Sequence, residues 1–316
     1  MKGKIVTRWT QADIPQQHGR TAIVTGTGGL GFEDSLALAR AGASVVVAGR
    51  NADKGAEALS RIRATVPSAQ VRFEQLDLAS LVSVAAFAAR ISERHEPVDM
   101  LINNAGVMVP PRRQVTADGF ELQFGINYLG HFALTAHLLP LLRQGARVVS
   151  LSSVAARAGN IDFENLNSTR SYAAMKAYSQ SKLACLMFAL ELQRRSDAMG
   201  WDVQSSASHP GVARTDLLHN GPGRRSATGL ARTLLPFLFQ PADRGALPTL
   251  YAATAPDAAG GAYYGPDGIA EVRGYPTLAK VPAQALDQVV AARLWQVSEE
   301  LVGISFPDGR AQSRTV

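Results

Sequence analysis

The chain holds a single cysteine, Cys185, among its 316 residues. That excludes a disulfide framework and a cysteine metal cluster. Cys185 falls on the apolar side of a helical pattern, where a buried, unreactive thiol is expected. Long apolar runs are missing too, and nothing approaches the roughly 18 residues that a membrane span needs. The start, Met1-Lys2-Gly3-Lys4-Ile5-Val6, leads into polar residues rather than into the apolar core of a signal peptide. The cytoplasm is therefore the expected compartment. The net charge of +6 comes almost entirely from arginines scattered along the chain. They form no basic run or stripe of the kind a nucleic-acid face requires, so no nucleic-acid partner is expected. Repeats and low-complexity segments are also lacking.

What is there is an alternation of short apolar runs and helical patterns. Ala22-Ile23-Val24-Thr25, Val45-Val46-Val47, 71–76, 100–102, 148–151 and 203–207 read as strands apolar on both faces. Helical patterns separate them, at about 52–65, 79–94, 117–143 and 174–199. Strands of that kind alternating with helices imply a buried parallel sheet with right-handed crossovers. The expected fold is α/β, a Rossmann-type doubly wound sheet of about seven strands in one domain over 1–316. Its core would span 19–211, a substrate loop 212–245, and a C-terminal strand and helix 246–316. Within the loop, Gly221-Pro222-Gly223-Arg224-Arg225 precedes Leu234-Leu235-Pro236-Phe237-Leu238-Phe239. A polar hinge before an apolar segment suits a lid over a hydrophobic pocket, and equally suits core packing or a subunit contact.

Between the first strand and the first helix stands Thr25-Gly26-Thr27-Gly28-Gly29-Leu30-Gly31. Gly26-x-Gly28-x-x-Gly31 in that setting fits a dinucleotide fingerprint. Its glycines let the backbone approach a pyrophosphate that rests on the helix N-terminus. A site for NAD would place a carboxylate at the end of the second strand, to hold the ribose hydroxyls. Here the strand ends Ala48-Gly49-Arg50-Asn51. The fork of Arg50 suits a 2′-phosphate, so NADP(H) is expected over NAD(H).

Hydride chemistry needs a proton partner, and Tyr178-Ser179-Gln180-Ser181-Lys182 offers one. Tyr-x-x-x-Lys on a helix puts both side chains on one face. An ammonium near 4 Å, at an effective dielectric of about 20, favours a phenolate by roughly 4 kcal/mol, about three pKa units. That would bring Tyr178 from about 10 toward pH 7, where acid–base catalysis works best. Tyr172-Ala173-Ala174-Met175-Lys176 has the same spacing. The later pair is preferred because Leu183, Leu186, Met187 and Leu190 continue it as an apolar-periodic helix. Small residues there (Ser179, Ser181, Ala184) would let a flat cofactor approach.

Joined to the glycine segment, this pair makes the chain resemble the short-chain dehydrogenases/reductases, closest to the retinol-dehydrogenase-like and WW-domain-oxidoreductase-like branch. The resemblance covers roughly residues 8–303. It implies that Asp77-Leu78 sits near the adenine and that Asn103-Asn104-Ala105-Gly106 lines the cofactor cleft. It implies that Asn127 holds a proton-relay water and that Ser153 binds the reacting oxygen. Tyr178 would be the acid–base, and Lys182 would also bond the nicotinamide ribose. Pro210-Gly211-Val212-Ala213-Arg214-Thr215 would contact the nicotinamide side. Tyr263-Tyr264-Gly265-Pro266 and Arg293-Leu294-Trp295 resemble structural motifs of the branch. Homo-oligomers, dimers or tetramers, are implied through the helices carrying Asn127 and Tyr178. One departure stands out: the glycine loop is one residue shorter than the family's pattern, with only Thr27 and Gly28 between Gly26 and Gly29.

The expected reaction interconverts a hydrophobic alcohol and its aldehyde or ketone. Reduction of an activated C=C bond uses the same donors, and a non-catalytic dinucleotide sensor would suit the shortened loop. Ser153, Tyr178 and Lys182 together favour the enzyme.

Overall fold

A computed structural model describes residues 8–212 and 240–309. Thr215 and nearly all of the expected lid lie outside the described residues. The sheet has eight strands in the order β3-β2-β1-β4-β5-β6-β7-β8. The first six are β1 (Thr21–Thr25), β2 (Ser44–Gly49), β3 (Val71–Gln75), β4 (Val98–Asn103), β5 (Leu142–Leu151) and β6 (Val203–Ser208). They run parallel with β7 (Tyr263–Pro266), and β8 (Pro276–Leu278) closes the edge antiparallel. The eighth strand exceeds the expected count of about seven. It is three residues long and opens on a proline, which suits an edge and leaves no apolar run to read.

Crossover helices cover both faces, so the central strands are apolar throughout: Ile23, Val46, Val47, Leu101 and Val148 are completely buried. Each such side chain contributes about 1.5–3 kcal/mol. On one face lie α1 (Gly29–Arg40), α2 (Ala52–Thr65) and, later in the chain, α6 (Ala242–Gly245) and α7 (Leu247–Thr254). On the other lie α3 (Leu81–Glu93), α4 (Gly130–Leu138), α5 (Ala174–Met199) and α8 (Gln288–Val302). The chain steps from β1 outward to β3, then crosses to β4 on the other side. Beyond the C-terminal ends of β1 and β4 that reversal opens a crevice, the usual ligand site of such sheets.

The pattern expected as one helix over about 117–143 is broken at both ends. It begins as a π-helical stretch, Phe124–Leu129, and closes at Pro140, after which β5 starts at Leu142. The carboxylate of buried Glu121 accepts from Phe124 N–H at 2.8 Å and fixes that start. At its far end α5 stops at Gly200, whose φ of +67° is left-handed.

Against α4 and α5 lies α8. Trp295 packs on Phe132 and Phe188, with ring centroids 5.1 and 5.7 Å apart, and Tyr128 Oη meets Ser298 Oγ at 2.7 Å. Arg293 stacks over Phe163 at 4.0 Å. The Arg293-Leu294-Trp295 motif is structural, as the resemblance implies. It also occupies surface on the helices through which pairing was expected, so a partner could not use that surface without displacing α8.

Candidate active site

Tyr178 and Lys182 lie in the first turns of α5, a helix held by apolar contacts along its length. They form one wall of a cavity of about 640 Å³ that runs back to the glycine turn at Gly26–Leu30. Ser153, at the end of β5, and Pro210, Gly211 and Val212, after β6, line the same end as Tyr178. Asn104, Ala105 and Gly106, following β4, line the middle. Tyr172 is elsewhere: it precedes α5 and donates to Pro110 C=O at 2.8 Å, while Lys176 reaches Asp162 at 4.0 Å. The structure brings together the later Tyr–Lys pair with the glycine turn, not the earlier one.

Around the glycine turn, close approach is built in. Gly26 has φ +105° and Gly29 φ +54°, and α1 begins within the loop at Gly29. A Cβ on Gly31 would stand 2.6 Å from Asn104 Nδ2 and 2.7 Å from Gly26 C=O. Asn104 in turn donates to Thr25 C=O at 2.7 Å. The Thr25 hydroxyl accepts from the N–H groups of Asn104 and Ala105, both at 2.9 Å, and meets His131 Nε2 at 2.9 Å. Nδ1 of His131 bonds the Asn127 carbonyl at 3.0 Å. The glycine turn and the Asn127 kink are therefore tied through one imidazole.

Elsewhere the expected cofactor contacts have other occupations. Arg50 is exposed and outside the cavity lining. Asn51 caps α2, its Oδ1 accepting from Lys54 N–H at 2.9 Å. Asp77 turns the chain after β3, accepting from Ala79 N–H at 3.0 Å, and Leu78 is buried against Gly130. Asn127 accepts from Val107 N–H at 2.8 Å and donates to Val107 C=O at 3.0 Å and to Ser181 Oγ at 2.9 Å. Its carbonyl takes His131 and the Cys185 thiol, the latter at 3.0 Å. Protein groups thus partner both polar atoms of this side chain and its carbonyl.

The family model described as short chain dehydrogenase matches residues 20–224. Along 313 residues the chain is 44% identical to retinol dehydrogenase 13 of Homo sapiens, covering 96% of this chain and 89% of that protein. It is 42% identical over 308 residues to polyprenol dehydrogenase of Mus musculus, covering 93% and 87%. This chain belongs to the short chain dehydrogenase family. A crystal structure of an uncharacterized protein from Mycobacterium paratuberculosis matches with a TM-score of 0.80 at 41% identity, over 95% of this chain and 100% of that one. A short chain dehydrogenase from Burkholderia cenocepacia in complex with NADP shares the fold, with a TM-score of 0.62 at 22% identity over 78% and 96%. As a member of this family the chain is an oxidoreductase acting on a CH–OH/C=O pair.

In this short chain dehydrogenase the electrostatics of the Tyr–Lys pair differ from the expectation. Burial pushes the Tyr178 phenol up to about 12, and a hydrogen bond from the Ser153 side chain offsets part of that. Burial likewise pushes the Lys182 ammonium down. Lys182 Nζ donates to Leu151 C=O at 2.8 Å rather than to the phenol. A Coulomb argument at fixed distance omits the cost of removing both groups from water, and in this pocket that cost prevails. Tyr178 is accordingly neutral at pH 7.

A second cluster escaped the sequence reading. His209 is completely buried: its Nδ1 accepts from Gly211 N–H at 3.2 Å and its Nε2 bonds Glu271 at 2.9 Å. Burial lowers the imidazole to about 4, although Glu271 raises it, so the ring is neutral. Glu271 also pairs with Arg157, on the turn after Ser153, and accepts from Lys280 N–H at 2.9 Å. Gly211, at φ +63°, is pressed on Val272, whose carbonyl would stand 2.2 Å from an added Cβ. The segments flanking Ser153 and Pro210 are thus clamped from one carboxylate. A histidine at the end of an apolar strand, directly before Pro-Gly, was a signal for His209; Glu271, distant in sequence, gave none.

Proposed function

We propose that this chain is an NADP(H)-dependent oxidoreductase that interconverts a hydrophobic alcohol and its aldehyde or ketone. One observation carries the reading: Ser153, Tyr178 and Lys182 stand at one end of a continuous cavity whose other end is the glycine turn. The residues fit a dinucleotide. Gly26, Gly28 and Gly29 face the cavity with no side chain to fill it, and the first N–H groups of α1 are there to receive a phosphate. Preference for NADP(H) is supported by β2, which ends in Gly49-Arg50-Asn51 with no carboxylate to take a ribose 2′-hydroxyl.

A bound nicotinamide would supply or accept the hydride at the end lined by Pro210, Gly211 and Val212. The chain's own groups do the rest. In reduction, the neutral Tyr178 Oη–H gives its proton to the substrate oxygen. The Ser153 hydroxyl hydrogen-bonds that oxygen as charge develops on it. Lys182 has three donors, of which Leu151 C=O takes one, so it retains donors for the ribose and for the phenolate left behind. In oxidation the same groups run in reverse, and the phenol's raised pKa makes that direction improve with rising pH. Asn127 serves by fixing Val107 and Ser181, hence the floor of the cavity.

Two lines support a hydrophobic substrate. Met108, Val154, Met175 and Val212 line the Tyr178 end. The relatives named above are dehydrogenases of retinol and polyprenol, both long apolar alcohols. Turnover of NADPH against long-chain aldehydes, aromatic ketones and retinoid carbonyls tests the proposal. Reduction of at least one apolar carbonyl is expected, while NADPH binding with no turnover across the panel would favour a sensor.

A further inference from the structure

The loop between β7 and β8 carries strain that its own sequence does not require. Ala270 and Glu271 stand in succession at φ +53° and +58°, a left-handed region that residues with a β-carbon seldom enter. Such backbone persists where its surroundings over-determine it, and it gathers at functional sites. The tip of the loop faces water, with Ile269 96% exposed, so burial of apolar side chains does not hold it. The contacts of the Glu271 carboxylate do.

Oε1 accepts from Lys280 N–H, just past β8, and anchors the group. From Oε2 two branches leave, one to His209 and one to Arg157. Since His209 Nδ1 accepts from Gly211 N–H, its proton is on Nε2 and is given to Glu271. Beside this branch, Val272 C=O accepts from Val212 N–H at 2.8 Å. Together they fix Gly211 and Val212, which line the cavity. The other branch enters the 3-10 turn Val154–Ala158 through Arg157. Ser153 caps that turn, its Oγ accepting from Ala155 N–H at 3.2 Å, so the turn fixes where the hydroxyl oxygen stands. Tyr263, on β7, joins the branches: it donates to Ser153 C=O at 3.3 Å and packs its ring on His209, centroids 5.1 Å apart.

We propose that Glu271 is a positioning residue for the reaction. Through His209 it holds the Gly211–Val212 turn and through Arg157 it holds Ser153, so one carboxylate sets the distance between the nicotinamide side of the site and the hydroxyl that bonds the reacting oxygen. The inference rests on the function proposed above and adds a residue that does not line the cavity. The test compares full-length wild type, Glu271→Ala, Glu271→Gln, Arg157→Ala, Ser153→Ala and the double variant Ser153→Ala/Glu271→Ala in NADPH-dependent reduction of retinal, with thermal melts to check folding. Glu271→Ala is expected to lower kcat by about ten- to a hundredfold, the scale of an ångström's misplacement, while KM moves by less than about threefold. Glu271→Gln, which keeps one accepting oxygen, should fall between, and Arg157→Ala, which cuts one branch only, should lose less than Glu271→Ala. In the double variant the losses should fall well short of their product, because Glu271 acts partly through Ser153. Losses that multiply in full, or a kcat for Glu271→Ala within about twofold of wild type, overturn the assignment. Amide hydrogen exchange reads the same clamp without turnover. Both 153–159 and 209–212 should exchange faster in Glu271→Ala, and only 153–159 in Arg157→Ala, with α1 unchanged in each. Unaltered exchange in both segments of Glu271→Ala also overturns it. Should Glu271→Ala fail to fold, Glu271→Gln and Arg157→Ala decide. Wild type that reduces no apolar carbonyl would instead sink the proposed function, a failure that the exchange data distinguish from failure of the clamp.

Discussion

The two ends of the cavity are built to opposite rules. At the Tyr178 end, the polar groups are partnered by protein: Asn127 with Val107 and Ser181, Lys182 with Leu151, His209 with Gly211 and Glu271. At the glycine end, polar groups are left over. Lys54 and Arg61 line the cavity while exposed to water, and Asp34, in the first turns of α1, is completely buried with no partner for either carboxylate oxygen among the described residues. A satisfied network fixes the geometry that chemistry needs, whereas charge that faces water stays free to meet a ligand. Asp34 belongs to neither case, since it does not line the cavity.

The largest effect should come from breaking the satisfied end at its reacting atom. Tyr178→Phe is expected to lower kcat by at least about a hundredfold, the scale of lost acid–base catalysis. Kd for NADPH should stay within about twofold. Steady-state kinetics and titration together check this, and a variant that turns over like wild type would remove Tyr178 from the chemistry.

The next contrast is in pH. His131 and His209 are held neutral by burial, each at about 4, against about 6.5 in an unfolded chain. Their stability contribution is present above 6.5 and is lost as pH falls toward 4, because the unfolded chain takes up protons first. At pH 5 each costs about 2 kcal/mol of folding free energy on this basis. Asp34 acts in the opposite sense. Burial, then Glu33, raises its carboxyl well above the ordinary value, so stability falls as pH rises from the ordinary value toward the raised one, where only the unfolded chain has released its proton, and levels off above it. Urea unfolding across pH 4–7 should therefore lose stability in acid, and more steeply in Asp34→Ser than in wild type. A flat profile would contradict the neutral assignment of both histidines.

The smallest effect is outside the cavity, at the unpartnered carboxyl of Asp34. At pH 7, Asp34→Ser should raise stability by about 1–3 kcal/mol, the cost of a buried polar group without a partner. A serine there can return its hydroxyl to the preceding turn, as Ser35 does to Gly31 C=O at 2.7 Å. A lower urea midpoint for this variant would mean that the carboxyl has a partner.

Much of the fold was legible because local and tertiary preferences agree. The helix expected at 174–199 is found at Ala174–Met199, and that at 52–65 at Ala52–Thr65, since each carries apolar periodicity between clear breakers. The choice of Tyr178 over Tyr172 followed from the same periodicity. Other features depended on contacts that no single segment encodes. The edge strand β8 has no apolar run, and the π-helical start at Phe124 is set by Glu121. The phenol's pKa was misjudged for a related reason: spacing gives proximity, but burial decides which charge survives.

A structure of this chain crystallised with NADP+ tests the central claim most directly. The nicotinamide C4 should lie beside Tyr178 Oη and the Pro210-Gly211 turn, leaving room for a carbon about 3–3.5 Å away, with the pyrophosphate at the glycine turn. A nicotinamide found away from Tyr178, or a cavity that stays empty at saturating dinucleotide, would contradict it.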